Sequence, residues 1–307
     1  MDINQLRTLI QVAELGSLSK AADRLCTAQP ALSRRMAMLE DELDAKLFER
    51  HGRGMIITAQ GQRVLQHARR IMAEMDEIKS SLADEALRGH VSIGLLSSVT
   101  DVLTVPLIEA IRTSHPYATC RIVSGYSLDL LERVHSGDLD VAVLYDPLSI
   151  RSLKSTPFLE EDLYIVGSKA QNFSYKNPLD FSSLSQFDIL LPSARHSTRQ
   201  IADEAAHMCG IHLNVKIDVD SFSVLKQLVI NDNGVSIIPI TSVRQEIAEG
   251  KMTAAPLINP TPLRRLELSY PADRPISRLA TYVGQRIIAT SSDLIDQGIW
   301  TGARVIE

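Results

Sequence analysis

The apolar pattern of this 307-residue chain changes period once, at Arg88-Gly89, and that change constrains the fold more than any other feature. Before it, apolar residues recur three and four apart, as in helices with one buried face. Beyond it, short apolar runs alternate with helical stretches, as in βαβ units. Two or three domains are expected from this length. No apolar run approaches the roughly 20 residues that cross a bilayer. The start, Met1-Asp2-Ile3-Asn4-Gln5, has neither a basic region nor a continuous apolar one. A cytoplasmic protein without a membrane partner is therefore expected.

Ile3, Leu6, Leu9, Ile10 and Ala13 mark a first helix that Gly16 ends. Ser19 is placed to cap a short second helix whose Ala21, Ala22 and Leu25 face inward. A third helix begins near Pro30, since proline suits a first turn. On it Leu32, Met36, Leu39 and Leu43 form a packing face, while Gln29, Pro30, Ser33, Arg34 and Ala37 share the opposite one. Gln can bond adenine edges and Arg guanine edges or phosphate, so this second face is a candidate for reading a major groove. Alone, each residue is more simply a solvated surface side chain.

The stretch from Leu47 to Thr58 reads as two short strands about a Gly-rich turn that carries Arg53, a cation suited to a phosphate or minor-groove contact. Net charge is −5, yet residues 1–70 hold 11 Lys/Arg against 8 Asp/Glu, which leaves 21 against 29 for the rest. The basic character sits with the candidate reading head.

These motifs resemble the DNA-binding domain of LysR-type transcriptional regulators: G-S-L-S-K-A-A-D-R-L at 16–25, A-Q-P-A-L-S-R-R at 28–35, L-E-D-E-L at 39–43, L-F-E-R at 47–50 and G-R-G-M-I-I-T-A-Q-G at 52–61. The resemblance implies a winged helix-turn-helix over 1–60. The family commonly has Ser before the Gln-Pro pair; Ala28 stands there in this chain, and Thr27 is the alternative cap. Short stretches such as Ala142-Val143-Leu144-Tyr145 and Glu161-Asp162-Leu163-Tyr164 look most like the nitrogen assimilation control subgroup.

Over 61–89, Val64, Ala68, Ile71, Met75, Ile78 and Leu82 step by four, three, four, three and four, a coiled-coil repeat that could instead lie against its own domain. A linker helix that makes a homodimer is expected. The resemblance further implies a homotetramer, double-stranded promoter DNA as partner, and contact with RNA polymerase.

Residues 90–307 read as two α/β lobes. The resemblance implies Rossmann-like lobes similar to type 2 periplasmic binding proteins, with lobe one over 90–162 and 268–307 and lobe two over 163–267. In such sheets ligands bind beyond the carboxyl ends of strands, where free helix N–H groups attract anions. Ser97, Ser98 and Thr100 follow one strand, Ser127 precedes a helix, and Ser197 lies beside Arg195 in a third loop. These hydroxyls are expected to bind a small anionic effector, with Arg195 as counter-charge and Tyr145 and Phe222 as walls. The simpler alternative is that the hydroxyls cap helices.

His196, His207, Cys209 and His212 lack a metal-ligand spacing, and Cys26, Cys120 and Cys209 read as reduced, mostly buried thiols, so neither metal nor cofactor is expected. A two-lobed α/β enzyme is the rival reading, but the chain has no G-x-S-x-G elbow, P-loop or G-x-G-x-x-G, and no catalytic residues are assigned. A plain solute-binding protein is the other rival, and the N-terminal domain argues against it.

Overall fold

The computed structural model describes residues 1–51, 54–81, 87–145 and 152–306. They fall into two compact units, residues 1–90 with 136–138, and residues 91–135 with 139–307. No helix among the described residues is long and apolar enough to cross a membrane.

In the first unit, helix α1 (Ile3–Leu15) starts on a capping box in which Asp2 and Gln5 each accept the other's backbone N–H. Gly16, left-handed at φ 59°, ends it. Its fully buried apolar residues are Leu6, Leu9 and Val12, with Ile3, Ile10 and Ala13 half-buried at the edges. Helix α2 (Leu18–Arg24) is capped by Ser17 and not by Ser19. That earlier start brings Leu18 into the helix, where it is buried beside Ala21 and Ala22. Helix α3 (Gln29–Glu42) buries Leu32, Met36 and Leu39, and half-buries Leu43. Thr27 does not cap it, because its hydroxyl donates to the Leu25 carbonyl at 3.1 Å. The N-cap is Ala28, which has no side-chain acceptor.

Strands β1 (Phe48–His51) and β2 (Gly54–Ile57) pair antiparallel as the wing. Two contacts tie it down. Glu40 Oε1 on α3 accepts the N–H groups of Leu47 at 2.8 Å and Phe48 at 3.2 Å, and Glu40 Oε2 accepts from Lys46 at 2.8 Å. Burial opposes the Glu40 charge, but Lys46 and the two N–H groups outweigh it and hold the carboxyl below its usual range. Met55 N–H donates to the Gly16 carbonyl at 2.8 Å. Arg53 lies outside the described residues.

Helix α4 (Ala59–Ser81) starts where Thr58 Oγ1 accepts the Gly61 N–H at 2.9 Å. The heptad stripe divides along it. Val64 and Ala68 pack into the same core as α1 to α3, together with Leu65, so the first third of the stripe serves its own domain. Further on Met75 is half-buried, while Ile71 and Ile78 are 37% and 63% exposed. Leu82 lies outside the described residues.

The second unit contains, in order, β3 (Gly89–Leu96), α5 (Thr100–Ser114), β4 (Ala118–Gly125), α6 (Ser127–His135), β5 (Val141–Tyr145), β6 (Leu153–Ser168), β7 (Leu179–Asp180) and β8 (Ile189–Leu191). There follow α7 (Ser197–Met208), β9 (Val215–Asp218), α8 (Phe222–Ile230), β10 (Ser236–Pro239), α9 (Arg244–Ala248), β11 (Met252–Ile258), β12 (Leu263–Pro271), α10 (Arg278–Asp296) and β13 (Ala303–Val305). Lobe one is the sheet β4-β3-β5-β12-β6, with β13 also on β6. The long strand β6 changes partners midway: up to Asp162 it pairs with β12, and from Leu163 with β10 and β11. Beyond β10, the Ile189–Val235 bridge brings in β8 and β9.

The outward crossing therefore sits at Asp162–Leu163. The return comes at Leu263, earlier than Leu268, because β12 is in the lobe-one ladder from its first residue. Helix α10 packs on α5 and runs on to Asp296.

Gly54 carries the first testable consequence. Its φ is +135°, and a Cβ there would lie 2.4 Å from the Gly16 carbonyl oxygen. Gly54→Ala is expected to cost about 1–3 kcal/mol in the first unit. Hydrogen exchange should show protection lost over residues 3–57 and kept in the second unit.

Candidate functional site

In the second unit the helices that follow strand ends start around one small cavity. Loop Ser97-Ser98 leads from β3 into α5, Ser127 opens α6, Ser197 and Thr198 open α7, and Phe222 opens α8, and all of these but α5's own first residue line the cavity. Leu96, Gly125, Tyr126, Tyr145, Pro192, Leu225, Ile238, Pro239 and Arg264 complete the wall. Its volume is ≈ 30 Å³. Beside it lies a wider cleft of ≈ 480 Å³ that shares Ser97, Gly125, Tyr126 and Phe222.

The capping alternative fails at three of these four helices. The N-caps of α5, α7 and α8 are Val99, His196 and Ser221, and none makes a side-chain cap hydrogen bond. First-turn N–H groups there lack the usual acceptor, and the aligned peptide dipoles favour negative charge in front of them. At α6, Ser127 Oγ is taken up by β5: it accepts the Tyr145 N–H at 3.0 Å and lies 3.3 Å from the Tyr145 carbonyl as donor.

Six of the eight expected effector residues line the cavity: Ser97, Ser98, Ser127, Tyr145, Ser197 and Phe222. Thr100 borders only the wider cleft. Its hydroxyl donates to the Leu96 carbonyl at 3.0 Å and meets Ser124 at 3.1 Å. Arg195 lines neither space. The reason is local: Asp220 holds the loop through Ser193 N–H and Oγ, both at 2.9 Å, and draws the largely exposed Arg195 to 3.6 Å from its own carboxylate.

The cation at the cavity is Arg264, which the sequence reading missed. It is 4% exposed, donates from Nε to Glu161 Oε1 at 2.5 Å and from Nη2 to Ser98 Oγ at 2.7 Å. Glu161, itself 1% exposed, accepts from Trp300 Nε1 at 3.0 Å through Oε2. Nothing in Leu263-Arg264-Arg265-Leu266 separates the buried arginine from its exposed neighbour. The usable signal was the alternation of β12, which matches Arg264 to Glu161 in register.

Tyr126 was missed as well. From lobe one it reaches lobe two, its hydroxyl donating to the Val219 carbonyl at 3.4 Å and its ring lying 4.2 Å from that of His196. Burial, then Asp220 and Asp129, push the Tyr126 pKa up to about 12. Burial pulls His196 down, against the opposing pull of Asp220. On lobe two, Lys226 donates to Glu246 at 2.7 Å and lies 3.3 Å from Asp101 of lobe one.

Among the described residues no group of three His, Cys, Asp or Glu could hold a metal ion. Cys26 is exposed, contrary to the expected burial, and Cys120 and Cys209 are half-buried. In the first unit, Gln29, Pro30, Arg34 and Ala37 are exposed on one face of α3, and Ser33 is half-buried there. With Ala28 as N-cap and no N–H on Pro30, that helix start keeps few N–H groups for an anion, since the Ala31 N–H bonds the Ala28 carbonyl at 2.9 Å.

Residues 3–62 match the family described as bacterial regulatory helix-turn-helix protein, lysR family, and residues 84–287 match the LysR substrate binding domain. The nitrogen assimilation regulatory protein nac of Klebsiella aerogenes is 27% identical over 295 residues, 95% of this chain and 96% of that protein. A full-length OxyR variant from Pseudomonas aeruginosa has a TM-score of 0.73 at 22% identity, covering 94% of each chain. Full-length CbnR in complex with its target DNA has a TM-score of 0.68 at 20% identity, covering 94% of this chain and 100% of that one.

Glu161→Gln removes the charge that matches buried Arg264. Stripping one partner from a buried ion pair costs about 3–5 kcal/mol. The loss should appear as a lower unfolding midpoint in urea, followed through Trp300, the single tryptophan of the chain.

Proposed function

We propose, since this chain belongs to the LysR family of DNA-binding transcriptional regulators, that a small anion held between its two α/β lobes controls how it binds promoter DNA. The observation that carries the effector reading is the convergence of uncapped helix starts and buried Arg264 on one cavity. An anion there meets several N–H groups and a guanidinium that are already fixed in place, so little ordering entropy is lost on binding. Ser97, Ser98, Ser127, Ser197, Tyr145 and Phe222 form its surroundings, with Thr100 at the outer edge.

The DNA is read by Gln29, Pro30, Ser33 and Arg34 on α3, with Arg53 on the backbone. The outward part of the α4 stripe, Ile71, Met75 and Ile78, supports a homodimer, and the family pattern a homotetramer. Two reading helices about 34 Å apart then occupy successive turns of the major groove. The regulator works in the cytoplasm, where it meets DNA and RNA polymerase. An effector switches it only by binding two arrangements with different affinity.

Genome-wide occupancy of the native protein gives the operator, and footprinting on that operator tests both sites. Arg34→Ala should weaken specific binding by about 1–3 kcal/mol while leaving salt-dependent non-specific binding nearly intact. Unchanged specific affinity would put the reading face elsewhere. A candidate anion that binds the second unit must alter footprint, DNA bend or transcript level; binding without any such change rules out the switching model.

The dimer is tested separately. Ile71→Asp with Ile78→Asp places charges on the outward stripe, outside the first unit's core, and should turn a dimer or tetramer into a monomer by light scattering at micromolar concentration. Operator affinity should fall with it, as the second half-site no longer gains from the first.

A further inference from the structure

The inner cavity, at ≈ 30 Å³ against the ~10–15 Å³ that one water needs, has room for a small group only. A ligand anchored at the helix starts must therefore extend into the adjoining cleft of ≈ 480 Å³. The chemistry changes between the two. Asp101, Asp129 and Asp220 line the outer cleft against a single cation, Lys226. That ammonium is already shared between Glu246 at 2.7 Å and Asp101 at 3.3 Å, which leaves Asp129 and Asp220 as the carboxylates it does not pair.

The acidic residues are also unevenly placed. Asp101 and Asp129 sit in the first turns of α5 and α6 and counter those helix dipoles, whereas α7 and α8 have no acidic residue in their first turns. The helix starts without an acid in their first turn thus belong to lobe two, where Arg264 also reaches the cavity wall. The lobe-one side of the cleft is negative. Asp220, just before the Ser221 N-cap of α8 on lobe two, faces the same cleft: its nearest cation, Arg195, is 3.6 Å away and solvent-exposed, and burial favours the neutral form of His196 beside it. The field reaches Tyr126, whose hydroxyl Asp220 and Asp129 help, after burial, to keep protonated.

A second anionic group on the ligand would meet these carboxylates and be repelled. A positive one would be held. We propose that the ligand of this cleft is an amino acid, its carboxylate among the helix starts and Arg264, and its ammonium facing Asp129 and Asp220. The proposal rests on the anion reading above and adds the second charge. Asp129 is the sharpest handle: it is exposed and makes no hydrogen bond or ion pair among the described residues, so its change to Asn removes only its charge at the α6 start.

The test uses the full-length protein, the standard amino acids, and for each the carboxylic acid lacking the α-amino group, screened by thermal shift and measured by calorimetry. At least one amino acid should bind about tenfold or more tightly than its matched acid. Asp129→Asn should weaken that amino acid about tenfold, leave the matched acid bound no more weakly, and lower the ligand-free melting temperature only by the small loss of one exposed acid at the α6 start. Acids that bind as tightly as their amino acids, or an Asp129→Asn protein with full amino-acid affinity, overturn the proposal and leave the anion site standing. If no amino acid binds the proposal is wrong, and if no acid binds either, the anion reading fails with it.

Discussion

Glu161 and Arg264 form the interaction on which the sensor's geometry depends. Both charges are out of water, where desolvation costs several kcal/mol per ion, so the pair survives only because its remaining polar atoms are satisfied. Trp300 donates to Glu161, and Ser98 accepts from Arg264. Those partners come from four places in the chain: strand β6 next to its change of sheet, strand β12 next to its entry, the loop before α5, and the segment after α10. One buried pair thereby fixes how the crossover strands lie against the loop that opens the cavity. Well-packed apolar residues could hold the strands at lower cost. They could not put a guanidinium on the cavity wall.

The electrostatics of the site follow from topology as much as from side chains. A parallel α/β arrangement sends each strand's carboxyl end into a helix start, so helix dipoles collect on one side of the sheet. Across two facing lobes, four starts meet. In this chain acids are added back in the first turns of α5 and α6 but not of α7 and α8. The same backbone design then gives one end of the cleft a positive character and the other a negative one.

Periodicity and punctuation made much of this legible in advance. The packing face of α3, the wing and the alternation of strands and helices beyond Gly89 follow from patterns a few residues long, while the lobe boundary near Asp162 came from the family resemblance. Short-range patterns could not reach the rest. Ser17 and Ser19 are equivalent as caps until the burial of Leu18 selects between them. Val64 and Ala68 continue a heptad stripe, yet they pack inward because α1 to α3 leave a groove that only the folded domain creates. Arg195 sits in the more suggestive loop but is diverted by Asp220, whereas Arg264 is chosen by a register with Glu161 that spans about a hundred residues of chain. Charge placement in a cleft is a tertiary property, and the residues that set it are far apart in sequence.

The small volume of the inner cavity also bears on switching. Tyr126 walls both spaces and bridges the lobes through Val219 and His196. A ligand too large for these two spaces as they stand can enter only if Tyr126 moves or the lobes part. Such a ligand has almost no affinity for the narrow arrangement and full affinity for a wider one, and this difference is the free energy that an effector can apply to an equilibrium. Moving a population from 1:99 to 99:1 takes about 5.5 kcal/mol of differential binding. Steric exclusion from one arrangement supplies that more readily than any graded hydrogen bond, so for such a ligand the tyrosine bridge would matter more to the proposed switch than the strength of its contacts at the helix starts.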